Sequence, residues 1–251
     1  MFCFSAAVIS ISAAAAASST SYAIDPAAEK ILDQMQTSYS ELNSLSEQVT
    51  AGESPNLPHS IAVHTLLKML RPGYVSMTSD SKSARSGASE VVTDGAYCYV
   101  TAPQYPSRYL KFPIPASVGA LRAALGQGIT SSLTLALFSQ PDTVSAMFSP
   151  RRLATLHLGK PVKIDGVTTQ VVVSSDTDGV TLTLFIDQSD HLLRRAIAID
   201  PNKAGDFTET YSSIQVNPAL TASSFSFTAP AHTEPFYGTS FGQATQDSPG
   251  Q

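Results

Sequence analysis

The sequence predicts an α+β fold: one strongly curved antiparallel sheet, with a long N-terminal helix and a cluster of short helices on its concave side. Three observations predict it. A helical apolar pattern opens the chain after residue 24, two strand-rich blocks follow at 45–112 and 155–228, and a dense apolar segment with helical spacing, 115–149, separates the blocks. If the helices fill the concavity only in part, an apolar cavity remains between them and the sheet.

Composition narrows the class of protein. The chain has 251 residues, of which 43% are hydrophobic and 14% charged, enough for one domain with a sizeable core. The formal net charge is -5, and no Lys/Arg cluster interleaves with the aromatic residues. The chain therefore has no excess of positive side chains to neutralise phosphate groups, and nucleic acid is excluded as a partner.

The first 23 residues carry no charge and end in "SYA". An apolar run of small residues before such a site is typical of a secretory signal peptide, cleaved near Ala23. A membrane anchor is the alternative, but serine dilutes the run below the apolar content a spanning helix needs. We therefore predict a signal peptide at 1–23, one exported domain at 24–230 and a disordered polar tail at 231–251.

The first predicted element of the domain is an amphipathic helix of about five turns. Asp25 as N-cap, Pro26 at the first helical position and Glu29 in the first turn form a coherent helix start. Apolar residues then recur at intervals of three and four: Ile31, Leu32, Met35, Tyr39, Leu42 and Leu45. This stripe predicts that the helix packs on the sheet.

Strands are predicted from about Leu45 onward. The candidates are 45–51, 61–70, 73–79, 90–93, 96–102 and 108–112, followed by the second block. Short connections between them favour antiparallel hairpins. In the hairpin around Asp94-Gly95, Tyr97 and Tyr99 share one face and Cys98 the other, and the sequence does not say which face lines a cavity.

The segment 115–149 predicts two or three short helices. Its apolar residues with helical spacing are Val118, Leu121, Leu125, Leu133, Leu135, Leu137 and Phe138. Breaks at Gly126, Gly128 and Pro141 can absorb backbone change and so suit rigid-body movement of these helices. The apolar residues, with Tyr97 and Tyr99, are our candidates to line an apolar cavity, against the alternative that they only fill the core.

No enzymatic motif stands out. The sequence contains no Gly-x-Ser-x-Gly elbow, His-Glu-x-x-His or phosphate-binding loop, so we expect a non-enzymatic protein without a cofactor. Asp187, Asp190 and His191 could ligate a metal, but their spacing fits a polar turn better. Asp176 and Asp178 before Gly179 also fit a turn, because no acidic residue follows at calcium-loop spacing. With Cys3 removed, Cys98 has no disulfide partner, and we expect it to be a buried apolar residue.

Four segments in order resemble a known family. They are an N-terminal helix ending "LNSLSEQVT", then "KMLRPGYVSM" (68–77), "VVTDGAYCYVTAP" (91–103) and "SSFSFTAP" (223–230). Together they resemble the periplasmic lipoprotein-carrier LolA/LolB-like superfamily, which includes many predicted periplasmic proteins of unknown role.

The resemblance implies a half β-barrel of about 11 strands, closed by a helical lid over an apolar cavity that binds acyl chains. The lid would be the segment 115–149, and the apolar candidates named above would line the lipid-binding cavity or its lid. It also implies that Arg71, in the Arg-Pro motif, hydrogen-bonds to lid backbone and acts as the lid latch. Tryptophan, frequent in the family after Asp-Gly, is absent here, which puts lipoprotein cargo in doubt more than the fold.

The predicted function is an exported carrier for lipid or lipoprotein acyl chains, monomeric and able to contact a membrane peripherally. The alternative is an envelope protein-interaction or sensing module on the same fold, with a filled core and no cargo. A carrier needs a connected apolar cavity, whereas an interaction module needs an exposed apolar patch or sheet edge.

Overall fold

A computed structural model describes residues 24–53, 62–81, 88–114, 132–149, 151–202 and 205–237. The predicted signal peptide at 1–23 lies outside the described residues. Within the described ranges, no helix combines the length and the apolar character needed to cross a membrane.

The N-terminal helix α1, Pro26–Glu41, forms as its sequence predicts. The Asp25 side chain accepts a hydrogen bond from the N–H of Ala27 at 2.8 Å, which satisfies one of the free donors at the helix start. The apolar stripe is buried along α1 at Ala28, Ile31, Leu32, Met35 and Tyr39. The helix ends before "LNSLSEQVT", the segment expected to close it; that segment continues into a strand.

The described residues form one sheet of 13 strands. The strands are β1 Ser44–Glu53, β2 Val63–Leu70, β3 Tyr74–Ser81, β4 Ser89–Thr93, β5 Tyr97–Thr101, β6 Arg108–Pro113, β7 Leu153–Leu158, β8 Val162–Ile164, β9 Val167–Asp176, β10 Thr181–Asp187, β11 Leu193–Ile199, β12 Asp206–Val216 and β13 Glu234–Phe236. Two short helices, α2 Leu133–Ser139 and α3 Thr143–Met147, and a 3-10 turn, Ala222–Phe225, complete the elements.

The strand order places the two sequence blocks side by side. It runs β13-β6-β5-β4-β3-β2-β1-β12-β11-β10-β9-β7, with β8 pairing to β9. Neighbours are antiparallel except β13, which runs parallel to β6. β1 is therefore the central strand, paired to β2 of the first block and to β12 of the second.

The sheet is open and not strongly curled. The prediction of a strongly curved half-barrel is therefore wrong. Tight curvature requires bulges or glycine kinks that bend successive strands. Among the pairings of the described strands, register shifts occur in three: β1/β12, β10/β11 and β7/β9. The hairpins from β2 to β6 pair without one, and this half of the sheet stays extended.

One face of the sheet, here named the inner face, carries the core. A continuous cross-strand row crosses it from β1 to β6, and every member is at most 1% exposed. The row consists of Glu47, Leu67, Met77, Val91, Val100 and Leu110. Its apolar members belong to the same packed cluster as the buried side chains of α1, α2 and α3, so the helices lie on this face.

The opposite, outer face carries an aromatic cluster. The ring of Tyr99 stacks on Phe227 with centroids 4.5 Å apart, and Tyr109 contacts the same phenylalanine at 5.0 Å. Phe225, in the 3-10 turn, contacts Tyr74 at 5.6 Å. The C-terminal stretch therefore crosses the outer face of the first block and covers part of it.

The hairpin between β4 and β5 turns at Asp94-Gly95, as predicted. Asp94 Oδ1 accepts hydrogen bonds from the N–H groups of Ala96 and Tyr97 at 2.9 and 2.8 Å. Gly95 has φ +95°, and a Cβ there would lie 2.8 Å from the hydroxyl of Tyr74. Both backbone conformation and space thus require glycine at this position.

The folded part of the chain continues past residue 230, where the polar tail is predicted to begin. β13 adds to the edge of the sheet beside β6, with Glu234 opposite Arg108 and Phe236 opposite Leu110. Backbone pairing to an existing edge strand holds this segment despite its polar composition.

Leu67→Ala should lower the free energy of unfolding by about 2–5 kcal/mol, because it opens a cavity in the buried row. Leu66→Ala, one residue away on the outer face where the side chain is 41% exposed, is the matched control and should cost less than about 1 kcal/mol. Urea denaturation followed by circular dichroism measures both. Equal losses would contradict the assignment of the inner face.

Candidate functional site

The lid helices α2 and α3 form the part of the predicted lid that the structure describes. The Ser132 hydroxyl accepts from the N–H of Thr134 at 3.2 Å and caps α2. The helical conformation is interrupted at Gln140-Pro141, between α2 and α3. The Thr143 hydroxyl donates to the carbonyls of Ala136 and Gln140, and these bonds connect α3 to α2. The two helices are therefore joined to each other as one unit.

Arg71 joins that unit to α1. It lies in the turn after β2, where its Nε donates to the Leu42 carbonyl at 2.8 Å and its Nη2 to the Tyr39 carbonyl at 3.2 Å. The same Nη2 donates to the Phe138 carbonyl at 2.6 Å, and the guanidinium lies 4.5 Å from the centroid of the Phe138 ring. Partial burial lowers the pKa of Arg71 from its usual value, without removing its charge. One side chain thus satisfies the carbonyl ends of both α1 and α2.

Gln36 makes a second connection from α1. Its Nε2 donates to the carbonyls of Leu137 and Gln140 at 3.2 and 3.3 Å. Its Oε1 accepts from the N–H of Val144, in the first turn of α3, at 3.1 Å. The amide therefore bridges the end of α2 and the start of α3, which places the break between the two helices directly over α1.

Two buried carboxyls hold the other end of α2. Glu47 on β1 accepts a short hydrogen bond from the Thr134 hydroxyl, and Glu209 on β12 accepts from the N–H of Leu133 at 3.1 Å. The hydroxyl of Tyr211 also donates a short hydrogen bond to Glu209. All three polar side chains from the sheet are almost completely buried.

The Glu47 carboxyl is electrostatically unusual. Burial raises its pKa to about 8, and the charge of Glu209 adds to the rise, while the Thr134 hydrogen bond and the more distant Arg194 lower it. Its Oε2 atom is buried and finds no hydrogen-bond partner among the described residues. Near neutral pH this carboxyl is therefore predominantly protonated, and it retains capacity for another partner.

An open groove of about 560 Å³ lies along the other side of α1. Apolar side chains form its floor, and Gln36 and polar residues of α1 form one wall. The lining residues of the floor are Leu32, Val144, Phe148, Leu153 and Leu156. Glu29 and Asp33, four residues apart on exposed positions of α1, stand at its rim.

The predicted lid residues fall into two groups. Leu137 and Phe138 are buried and Leu133 is half-buried against the core, so the described part of the lid packs its apolar side inward. Val118, Leu121 and Leu125 lie outside the described residues. Arg71 contacts lid backbone at Phe138; its role as a latch stays a prediction.

Tyr97 and Tyr99 do not lie beneath the lid helices. Cys98 and Val100, between and after them, are buried on the inner face, and strand alternation sends both tyrosines to the outer face. There Tyr99 donates from its hydroxyl to Asp94 at 2.8 Å, and the ammonium of Lys111 lies 4.5 Å from the Tyr97 ring centroid. They support the hairpin and do not line the space between the sheet and the lid helices.

The other candidate residues have structural roles. Cys98 is buried, which raises the pKa of its thiol to about 12, so it has none of the thiolate character of a nucleophile. Asp187 and Asp190 both accept from Arg194 at 2.6 Å in the turn before β11. The Asp176 side chain accepts from the N–H groups of Asp178 and Val180. Both segments are polar turns, as predicted.

Sequence reasoning missed Gln36, Glu47 and Glu209. A signal existed for Glu47, because alternation along β1 places it on the same face as Leu45 and Val49. A carboxyl in an apolar row is the kind of exception that marks a special site. Gln36 gave no such signal, since a polar residue beside a helix stripe is ordinary.

Comparison with known proteins identifies a family and a fold. Residues 28–235 match the family described as "Predicted periplasmic protein (DUF2092)". Among curated proteins, none matches the chain.

Several solved structures are similar at low sequence identity. An uncharacterized conserved protein from Thermus thermophilus is 10% identical, with a TM-score of 0.51 over 84% of this chain and 99% of that one. MucB is 12% identical, with a TM-score of 0.49 over 83% of this chain, which spans only 64% of MucB's length. A LolA superfamily protein from Nitrosomonas europaea is 14% identical, with a TM-score of 0.39 over 80% and 97% of the two chains. The likeness to the Thermus protein concerns the fold alone.

Glu47→Gln should change how stability depends on pH. A carboxyl whose folded-state pKa is raised binds more protons in the folded than in the unfolded protein, so it favours folding at low pH. That contribution is lost as pH rises from about 4.5 to about 8. Over this window the wild-type protein should lose roughly 1.4 kcal/mol per pH unit relative to Glu47→Gln.

Urea denaturation at a series of pH values measures this difference. Glu41→Gln, at an exposed position at the end of α1, is the control and should follow the wild type. Parallel stability curves for the wild type and Glu47→Gln would show that Glu47 ionises normally in the folded state.

Proposed function

Because the chain belongs to the DUF2092 family of predicted periplasmic proteins, we propose that it is an exported, non-enzymatic protein that binds acyl chains beneath its lid helices. The observation that carries the proposal is the groove of about 560 Å³ between α1 and α3. Its floor is apolar and continuous with the core, since Leu32, Val144 and Leu156 belong to both. Its volume lies within the range of small-molecule sites, about 300–1,000 Å³.

The chemistry of the groove suits an acyl chain. Burying each methylene is favourable by roughly 0.8 kcal/mol, so a ligand of this kind needs no charged anchor on the floor. Phe148 is half-buried at the groove and Leu153 is buried in its floor, so a chain lying there would remove further apolar surface from water. A free fatty acyl chain and the acyl part of a lipoprotein share this chemistry.

The attachment of the lid helices suits a carrier that must also release its ligand. Arg71 and Gln36 reach lid backbone through four of the hydrogen bonds described above. Neutral bonds of this type contribute about 0.5–1.5 kcal/mol each, and one from a charged donor about 1.5–3. These bonds are one part of the attachment, since Glu47 and Glu209 hold the other end of α2, and the hydrogen bonds between α2 and α3 would make the two helices move as one unit.

Ligand binding is tested on protein purified from its own host envelope. Native mass spectrometry should detect bound lipid, and a long-chain fatty acyl compound should displace an apolar fluorescent probe from the emptied protein. Water-soluble short-chain acids serve as the comparison, because they bury too few methylenes to compete. A protein free of lipid that also fails to bind the probe would count heavily against the proposal.

Arg71→Leu should speed ligand exchange by about tenfold, because it removes the donor that joins Phe138 to the end of α1. Arg71→Lys keeps the positive charge but loses the several N–H donors of the guanidinium, so its exchange rate should lie between those of the wild type and Arg71→Leu. Stopped-flow release of the fluorescent probe measures the rates. Arg108→Leu, at an exposed position on β6, is the control. Unchanged exchange in Arg71→Leu would remove the latch role and leave the binding site untouched.

The second candidate function is a protein-interaction module, favoured by the acidic rim of the same groove. Glu29 and Asp33 face solvent beside an apolar floor, which fits a basic amphipathic segment of an envelope protein. Replacing both by lysine should abolish such binding and leave probe binding within about twofold, since rim charges contribute little to apolar burial. Isothermal titration with a basic amphipathic peptide distinguishes the two functions.

A further inference from the structure

The two edges of the sheet are protected to different degrees. β13 forms one edge, and the N–H of Glu234 donates to the Ser107 carbonyl at 3.0 Å, so Glu234 directs its backbone groups towards β6. Because the direction of these groups alternates along a strand, those of Pro235 point away from the sheet. Proline has no N–H to donate, so this edge resists the addition of another strand.

β7 belongs to the opposite edge, and it contains no proline. The N–H of Gly159 donates to the Val171 carbonyl on β9 at 2.8 Å, so alternation directs the N–H and C=O of Leu158 away from β9. Leu156, two residues earlier, points the same way, and its carbonyl accepts from the Asp25 N–H at 2.8 Å. The chain itself therefore shows that this edge accepts an added backbone.

β8 continues the same edge. It ends at a two-residue turn whose flanking residues pair through their backbone, and alternation then directs the backbone groups of Lys163 outward. Leu158 and Lys163 lie opposite Val172 and Thr168 of β9, so their outward groups are about 13 Å apart. Pro161 lies in the connection between the two strands. Apart from the bridge at the start of α1, no described strand pairs with β7 or β8 on this side.

The side chains along this edge are basic and apolar. Residues 151–163, "RRLATLHLGKPVK", contain four Lys or Arg, one His and no Asp or Glu, although the chain carries a net charge of -5. All five of these side chains are exposed, and Arg152 has Asp176 at 3.8 Å. Leu158 and Val162 are 38% and 40% exposed. Outward backbone groups, apolar surface and positive charge therefore coincide at one edge.

We propose that the β7–β8 edge binds an acidic, extended segment of another protein, which adds to the sheet as a strand at Leu158 and Lys163. Backbone hydrogen bonds supply affinity, and carboxylates of the segment face Lys160 and Lys163. The surface lies beyond Leu156, the last residue of β7 that lines the groove, so the proposal does not depend on acyl binding.

A second copy of this chain fits the edge less well than an acidic partner. Two such edges would place their own basic side chains opposite each other, and like charges opposite one another destabilise strand pairing. Lysine on an edge also serves to prevent pairing. Protection alone leaves the exposed Leu158 and Val162 unexplained, because apolar surface promotes the pairing that lysine opposes.

Fluorescence anisotropy of a labelled heptapeptide of alternating glutamate and valine tests the site on the full chain. Its Kd should be at least tenfold lower than that of the same peptide with every internal amide N-methylated, because methylation removes the donors of an added strand and keeps the charges. Equal Kd values would mean attraction between charges alone and would overturn strand addition. Absence of binding by the unmodified peptide would also overturn it.

Variants of the edge separate backbone pairing from charge. Leu158→Pro removes the outward N–H and should raise the Kd at least tenfold, whereas Leu158→Ala keeps that donor and should raise it less. Lys160→Glu with Lys163→Glu should also raise it at least tenfold, and Lys30→Glu, at an exposed position on α1, is the control. Unchanged binding by a Leu158→Pro protein with a native circular dichroism spectrum contradicts the proposal. If that variant does not fold, the two peptides decide.

Two other occupants of the edge give different results. A wild-type dimer in sedimentation that Leu158→Pro dissociates would assign the edge to a second copy and overturn the proposal. Binding of phosphatidylglycerol vesicles without binding of the peptide would overturn it in favour of contact with an anionic membrane.

Discussion

The covering of a single apolar sheet face is the constraint on which the rest of this structure depends. An open sheet with one apolar face must be covered, since exposure of its buried rows would forfeit about 25 cal/mol for each Å² returned to water. α1 and the lid helices provide that cover, and their buried side chains share one cluster with the strands. The groove lies between α1 and α3, and the buried carboxyls and Arg71 lie at the two ends of α2.

The helix α2 is held by carboxyl groups at its first turn and by a guanidinium at its last. Glu47 and Glu209 take donors from its first turn, and the guanidinium of Arg71 takes a carbonyl from its last. Glu209 and Arg71 satisfy backbone groups that the two ends of the helix leave free, and Glu47 accepts from the hydroxyl of Thr134. A seven-residue helix has little stability of its own, so these contacts and the burial of Leu135, Leu137 and Phe138 decide its position.

Sequence predicted local elements better than their arrangement. The stripe from Ile31 to Tyr39 predicted α1 because helical spacing is a local property, and the strands of both blocks followed from alternation and turns. The curvature depends on bulges, such as that between Ser46 and Gln48, which arise from pairing with a strand far along the chain. The face of Tyr97 and Tyr99 was ambiguous because both sides of β5 carry apolar or aromatic residues, and only the helices decide which side is inner.

Glu47 shows where local and long-range information meet. Alternation places its carboxyl among Leu45 and Val49, but its burial, its raised pKa and its proximity to Glu209 arise only when β1 lies at the centre of the sheet beneath α2. On an edge strand the same residue would reach water and cost little. At the centre it must either keep its proton or find a donor, and the helix that supplies the donor is joined elsewhere by bonds of modest strength. The state of this carboxyl and the position of α2 are therefore linked, because loss of the Thr134 hydroxyl would leave both oxygens of a buried carboxyl without the donors that the described residues supply.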